Sequence, residues 1–299
     1  MFHRVLDRPD PLQPDTPYAS IVAMQFQALA DHFTVLPLEE AVSRLREGTL
    51  PPAAACITFD DGYRDNFDVA WPILKKFRLP ATIFVATGFL DGGTMFNDAI
   101  AESVRRLETG THDFSNFGVK ETAISDIASR RQLIHSLTQA IKYLEPDRRQ
   151  QLCDDLQGRL SSPLPTDLMM SSDQVRLLSQ NGITIGGHTV HHPILAKVDN
   201  ATAQQEIIAN RDAIRDITDK IPRTFAYPNG KPNRDYTLDH ARMVESAGYE
   251  LAVSTAVAVA TPGANRFQLP RFVANERNVA QMVARMWRMR RYRQPEYAN

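Results

Sequence analysis

Short apolar runs alternate along the chain with longer segments whose apolar residues recur every three or four positions. Residues 53–59 (AAACITF), 81–86 (ATIFVA), 183–185, 224–227, 251–254 and 267–269 are runs of the first kind. They are short, rich in β-branched or aromatic side chains and bounded by glycine or proline, which suits buried strands. Residues 2–6 resemble the end of another strand, expected to begin upstream of Met1. Helical periodicity occupies residues 22–33, 38–47, 66–77, 173–180, 201–218 and 236–247. Ser171-Ser172 can cap the fourth of these, and Gly248 stops the last. Strand then helix, repeated, predicts an α/β fold with parallel strands and crossover helices.

Two regions break the alternation. Residues 97–164 show no strand pattern and read as two or three helices joined by the polar loop 109–118, an insertion beside the main fold. Residues 275–293 read as a basic helix carrying Arg277, Arg285, Arg288, Arg290, Arg291 and Arg293. A solvated helix end is the plain expectation for it; contact with an anionic glycan or lipid headgroup is the sharper one. With 299 residues, 43% of them hydrophobic, the chain can bury a sizeable core. One α/β barrel can account for that length, since such barrels run to roughly 250 residues as one domain. A single domain over residues 1–299 is therefore expected.

The formal net charge of −1 gives no global field toward nucleic acid or acidic lipid. Cys56 and Cys153 make no disulfide framework; Cys56 lies in an apolar run as a small core residue, and Cys153 has no assigned role. No stretch of about 18 apolar residues occurs, so no membrane span is expected. The opening MFHRVLDRPDP lacks the apolar segment of an export signal, and a cytoplasmic location is expected.

Three strand ends carry chemistry. Thr58-Phe59-Asp60-Asp61-Gly62-Tyr63 puts two adjacent carboxylates after an apolar run, where neither can be buried unpaired. A helix N-cap accounts for one Asp but not for two, and a turn at Gly62 lets both reach one site. His188-Thr189-Val190-His191-His192-Pro193 follows Gly186-Gly187 and holds three of the chain's eight histidines. Neutral imidazoles four apart can chelate one ion; the alternative is a hydrogen-bonded polar loop. The spacing selects His188 and His192 and leaves His191 aside. One Asp with two His makes an open metal site, and the second Asp can then deprotonate water that a metal acidifies to a pKa of about 7. The third strand end, residues 223–230 (RTFAYPNG), is a turn whose backbone N–H groups can serve an oxyanion.

In order and spread these segments resemble the motifs of the polysaccharide deacetylases, which share the NodB homology domain and form carbohydrate esterase family 4. The family's TFDDG stands at residues 58–62, its H-[ST]-x-x-H at 188–192 and its aromatic–x–x–Pro–x–Gly turn at 225–230. The resemblance covers most of residues 1–272. It implies a distorted (β/α) barrel of about seven strands. It implies one divalent metal ion, zinc by preference, held by Asp61, His188 and His192. Asp60 then matches the catalytic base, the backbone at Asn229 helps to hold the oxyanion, and Tyr63, Tyr227 and Pro228 are expected to contact substrate. The implied activity removes an N-acetyl group from an amino sugar of a polysaccharide or surface glycan, as in exopolysaccharide synthesis.

Three departures stand out. Members often carry Arg after the aromatic of the third motif, where this chain has Ala226. Members often end on Leu-x-His, whose His is the general acid; here Leu269-Pro270-Arg271 puts Arg there. The Asp-x-x-Asp-Trp motif that buttresses that His has no counterpart. Arg271 is expected to place its charge beside Asp60 or to bind an anionic substrate group, since arginine is no practical proton donor. His240 and His3 are the candidates to replace the acid. Competing readings are a metal-holding scaffold or glycan-binding barrel without turnover, and a deacylase of a lipid-linked sugar or small amide with the insertion shaping that choice. A structural Asp-Asp cap beside an ordinary His loop would hold no metal at all.

Overall fold

The computed structural model describes residues 1–273, 276–292 and 295–299. The chain begins with α1 (Ala19–His32), β1 (Thr34–Val35), α2 (Leu38–Glu47), β2 (Ala54–Ala55) and β3 (Thr58–Phe59). A π-type turn, Asn66–Ala70, leads into α3 (Trp71–Phe77) and then β4 (Thr82–Val85). The insertion follows as α4 (Phe96–Arg106), β5 (Gly110–His112), β6 (Thr122–Ile124), α5 (Ile127–Ile141) and α6 (Pro146–Gly158). The alternation resumes with α7 (Ser172–Gln180), β7 (Thr184–Gly187), α8 (Asn200–Thr218), β8 (Thr224–Ala226), α9 (Leu238–Ser246) and β9 (Leu251–Val253), before α10 (Val279–Met289).

The main sheet is parallel, in the order β3-β4-β7-β8-β9. Parallel bridges Phe2↔Phe59 and Val253↔Leu269 add one segment at each edge. The sheet curls into the expected distorted barrel, and its seam is joined by Met1 N donating to Phe272 O at 2.7 Å and by the Arg271–Asp60 pair described below. Along this seam lies an apolar cavity of about 530 Å³ that reaches Thr58 and Arg271. The run 53–59 does not remain one strand. Ala53 is left-handed (φ 53°), β2 pairs with β1, and only β3 enters the main sheet. Alanines give the first half of that run little side chain to bury there.

Strand β4 is buried on both faces, and the central strand β7 beside it must approach its neighbours closely. A Cβ on Gly186 would come within 2.5 Å of Phe84 Cδ1 and 2.6 Å of Thr224 Oγ1. One on Gly187 would collide with Tyr249 Oη. The two glycines thus let large rings fill the barrel on either side of the strand that delivers the histidines.

The insertion builds its own apolar cluster around Ile100, Phe114, Leu137 and Leu156. Cys153 is buried in that cluster, and both cysteines are free. Contrary to the all-helical expectation, it contains an antiparallel pair, β5 with β6, joining Gly110 to Ile124. Each strand has three residues, too few for a period-two signal. Of the basic helix expected at 275–293, α10 occupies Val279–Met289; Asn275 and Arg293 lie outside the described residues. Its Met282 face packs into the main core with Phe26 and Leu29, so this is a docked helix and not a solvated end. No helix among the described residues is long and apolar enough to cross a membrane.

Gly186→Val should lower stability by about 1–3 kcal/mol through overpacking. Chemical denaturation will read this as a lower midpoint, and an unchanged midpoint would show that Phe84 gives way freely.

Candidate metal centre

The chain leaves β3 through two consecutive left-handed residues, Asp61 (φ 78°) and Gly62 (φ 88°). This conformation is costly for a residue with a Cβ, and such strain gathers at functional sites. It separates the two carboxylates. Asp61 Oδ1 lies 3.4 Å from His188 Nε2 and 3.4 Å from His192 Nε2, and the ligand atoms of all three fall within 4.8 Å of one another. At that distance the imidazoles make no good hydrogen bond, and among the described residues the buried Oδ1 has no hydrogen-bond partner. His188 Nδ1 lies 2.7 Å from Ala226 O. That carbonyl can only accept, so the proton sits on Nδ1 and Nε2 is left to face Asp61. One carboxylate oxygen and two imidazole nitrogens, buried and convergent, fit a divalent ion with coordination positions to spare.

The charges agree with this use. Burial alone would raise the Asp61 carboxyl, but the imidazoles of His188, His3 and His192 hold it well below the usual carboxylate range. Burial lowers His192 to about 3, helped by the charges of His188 and Arg149, so it remains a neutral donor. At His188 burial is outweighed by Asp61 and Asp60, and its pKa rises. The two carboxylates draw positive charge onto this spot, and a metal cation can supply it in place of a proton.

The histidine loop is held from α8. Asn210 is fully buried; its Oδ1 accepts from His188 N at 3.0 Å, and its Nδ2 donates to Val85 O, Thr87 Oγ1 and Thr189 O. One turn earlier, Glu206 accepts from Val190 N and His191 N, both at 2.8 Å, and meets His191 Nδ1 at 2.7 Å. His191 therefore anchors the loop on its exposed side while His188 and His192 turn inward. Sequence reading missed Asn210 and Glu206. The visible signal was a polar residue on the stripe Ala203, Ile207, Asn210, Ile214 that α8 buries.

Asp60 turns the other way. Arg271 Nη1 and Nη2 donate to its two oxygens at 2.7 and 2.8 Å, and the same guanidinium reaches Thr58 Oγ1 and Ser254 O. Burial would raise the Asp60 carboxyl, but Arg271 brings it below its ordinary value, so it is ionised. Arg271 thus stands beside Asp60, and the carbonyl of buried Ala226 serves His188 instead. Of the two histidines considered as acids, His3 is the one next to β3: it follows Phe2, which bridges Phe59, and it is exposed. His240 is occupied in the first turn of α9, where its Nδ1 accepts from Thr237 N.

The expected substrate-contact residues require correction. Tyr63 is 2% exposed and donates to Asp98 Oδ2 at 2.8 Å. Tyr227 is 1% exposed, stacks on Tyr236 and donates to Phe267 O. Pro228 is buried. Aromatic rings next to a barrel rim gain more by filling the core than by facing water. Asn229 is half-buried and left-handed (φ 56°) at the turn after β8. Asp98, which receives the Tyr63 hydroxyl, is a further buried acid that the sequence did not single out; burial raises it to about 7.

A family profile described as polysaccharide deacetylase matches residues 47–147 and 161–252. A poly-β-1,6-N-acetyl-D-glucosamine N-deacetylase of Staphylococcus aureus (strain MSSA476) is 27% identical over 161 residues, 50% of this chain and 53% of that protein. The chain thus spans about half the length of the curated relative it matches. Among solved structures, Streptococcus pyogenes deacetylase PplD in complex with acetate superposes with a TM-score of 0.63 at 19% identity, covering 96% of each chain. IcaB from Ammonifex degensii gives 0.59 at 15% identity, covering 95% of each. At such identities the structures speak for the fold alone.

Asp61→Asn should abolish tight binding of a divalent ion, whereas Asp60→Asn should retain it; titration calorimetry separates the two. Arg271→Ala should cost about 3–5 kcal/mol, because it leaves Asp60 buried and unpaired, yet keep the metal. Metal loss in that variant would tie Arg271 to the ligand set.

Proposed function

The chain belongs to the polysaccharide deacetylase family, and from that premise we propose that it hydrolyses the N-acetyl group of an amino sugar within a glycan. The observation that carries the reading is the pairing of two unlike carboxylates: Asp61 Oδ1, buried between two imidazoles with no hydrogen-bond partner among the described residues, and Asp60, ionised beside it. The relatives named for poly-β-1,6-N-acetyl-D-glucosamine supply the first substrate to test.

Asp61, His188 and His192 would hold the ion, and this oxygen-and-imidazole set suits zinc. The ion would polarise the acyl carbonyl and acidify the attacking water. Asp60 accepts the proton of that water. Its pairing with Arg271 keeps it charged and fixes both oxygens, so that the base needs no reorientation during the reaction. The turn at Asn229 offers its backbone amide to the oxygen of the tetrahedral centre. His3 donates a proton to the departing amine, which leaves as the free amino sugar while acetate carries away the acyl group. The exposed imidazole beside the strand that ends in Asp60 and Asp61 suits this role.

Metal-loaded protein should release acetate from β-1,6-linked N-acetylglucosamine oligomers. His3→Gln should lower turnover by roughly 10²–10⁴-fold with metal content unchanged. Protein that binds one ion and releases no acetate from any N-acetylated glycan would favour the scaffold reading, and full activity in His3→Gln would remove His3 from the reaction.

A further inference from the structure

The turn after β8 and the segment after β9 run side by side. β8 and β9 pair in register, Ala226 against Val253, and Tyr227 N donates to Val253 O at 3.3 Å. Pro228-Asn229-Gly230 therefore meets Ser254-Thr255-Ala256 where the two strands end. Two hydrogen bonds join them. Thr255 Oγ1 donates to Asn229 O at 2.9 Å, and Thr255 N donates to Gly230 O at 2.9 Å. Gly230 is left-handed (φ 72°), and a Cβ on it would lie 3.1 Å from Thr255 N and 3.2 Å from Thr255 Cγ2. Glycine thus lets the turn lie directly against half-buried Thr255.

Asn229 is left-handed as well (φ 56°), a conformation that Asn tolerates but does not require, so its surroundings must hold it. Its N–H makes no hydrogen bond among the described residues, whereas the two carbonyls that follow, Asn229 O and Gly230 O, are both taken by Thr255. The turn is fixed from one side and offers a spare donor on the other.

The same short segment serves the second half of the site. Ser254 is fully buried; its N donates to Leu269 O at 2.8 Å, and its O accepts from Arg271 Nε at 3.2 Å. Ala256 O accepts from Arg271 N at 3.0 Å. Arg271 in turn grips both oxygens of Asp60. Residues 254–256 thus tie the amide turn to the guanidinium that orients the proposed base.

We propose that Thr255 is a positioning residue for the reaction: its hydroxyl holds the Asn229 amide in the orientation that the oxyanion of the tetrahedral centre requires. This rests on the deacetylase reading and adds to it a residue outside the three motif segments. A donor fixed in advance stabilises a developing oxyanion because it need not reorient. A misplacement of about 1 Å can cost about 10²-fold in rate.

Steady-state kinetics of the metal-loaded protein on a β-1,6-linked N-acetylglucosamine tetramer tests this, with Thr255→Val and Thr255→Ser beside the wild type. Valine keeps the shape and loses the bond to Asn229 O; serine keeps the bond. Thr255→Val should lower kcat by about 10–100-fold with KM changed by less than about twofold. Its metal affinity, read by titration calorimetry, should stay at the wild-type value. Thr255→Ser should recover most of kcat. A wild-type rate in Thr255→Val overturns the proposal, and so does a loss confined to KM. Equal loss of kcat in both variants, or a loss that follows metal affinity, makes Thr255 a packing contact and overturns it too. No acetate from the wild-type protein, with metal bound, overturns deacetylation itself and this role of Thr255 with it.

Discussion

Two carboxylates side by side at the end of one strand cannot both stay buried and charged unless each meets its own positive partner. The left-handed pair Asp61-Gly62 resolves this by sending them apart, Asp60 to Arg271 and Asp61 to two imidazoles. Arg271 arrives from the segment bridged to β9, at the opposite edge of the sheet from β3. One ion pair therefore joins the seam of the barrel and sets the charge of the proposed base. Closure of the fold and readiness of the site are the same contact.

The histidine side obeys a different constraint, that of space. β7 runs between β4 and β8, and its two glycines leave room for Phe84 and Tyr249. With the strand pressed in so closely, the loop after it can be tied down by one helix. Asn210 spends its hydrogen bonds on the ends of two strands, β4 and β7, and Glu206 holds the exposed half of the loop. Left-handed Thr189 and His192 are tolerated because this net determines them. Ligand geometry here is a property of α8 as much as of the histidines themselves.

The insertion has its own core, yet it is not separate from the chemistry. Asp98 on α4 reaches Tyr63, and Arg4 lies over the same ring while pairing with Asp65. Asp65 also accepts from Val5 N, and Asn66 donates to His3 O. The segment bearing His3 is thus stitched to the helix that starts after the double-aspartate turn. The proposed acid and base stand on adjacent strands, and the same network bears on both.

Local chemistry was legible in the sequence. The alternation of runs, the adjacent aspartates after an apolar strand and the paired histidines after two glycines each lie within a few residues, and their physical cost is visible without a fold. The parallel sheet and the family resemblance followed from them, and the resemblance implied which aspartate joins the two histidines. What tertiary structure alone decided are the pairings between distant segments. Arg271 and Asp60 are 211 positions apart, and the segment bearing His3 joins β3 through the bridge Phe2↔Phe59. Tyr63 and Tyr227 were expected to contact substrate, and packing turned them inward. Sequence periodicity records which face of an element is buried, whereas the partner across the barrel depends on how the sheet curls, and no local pattern encodes that.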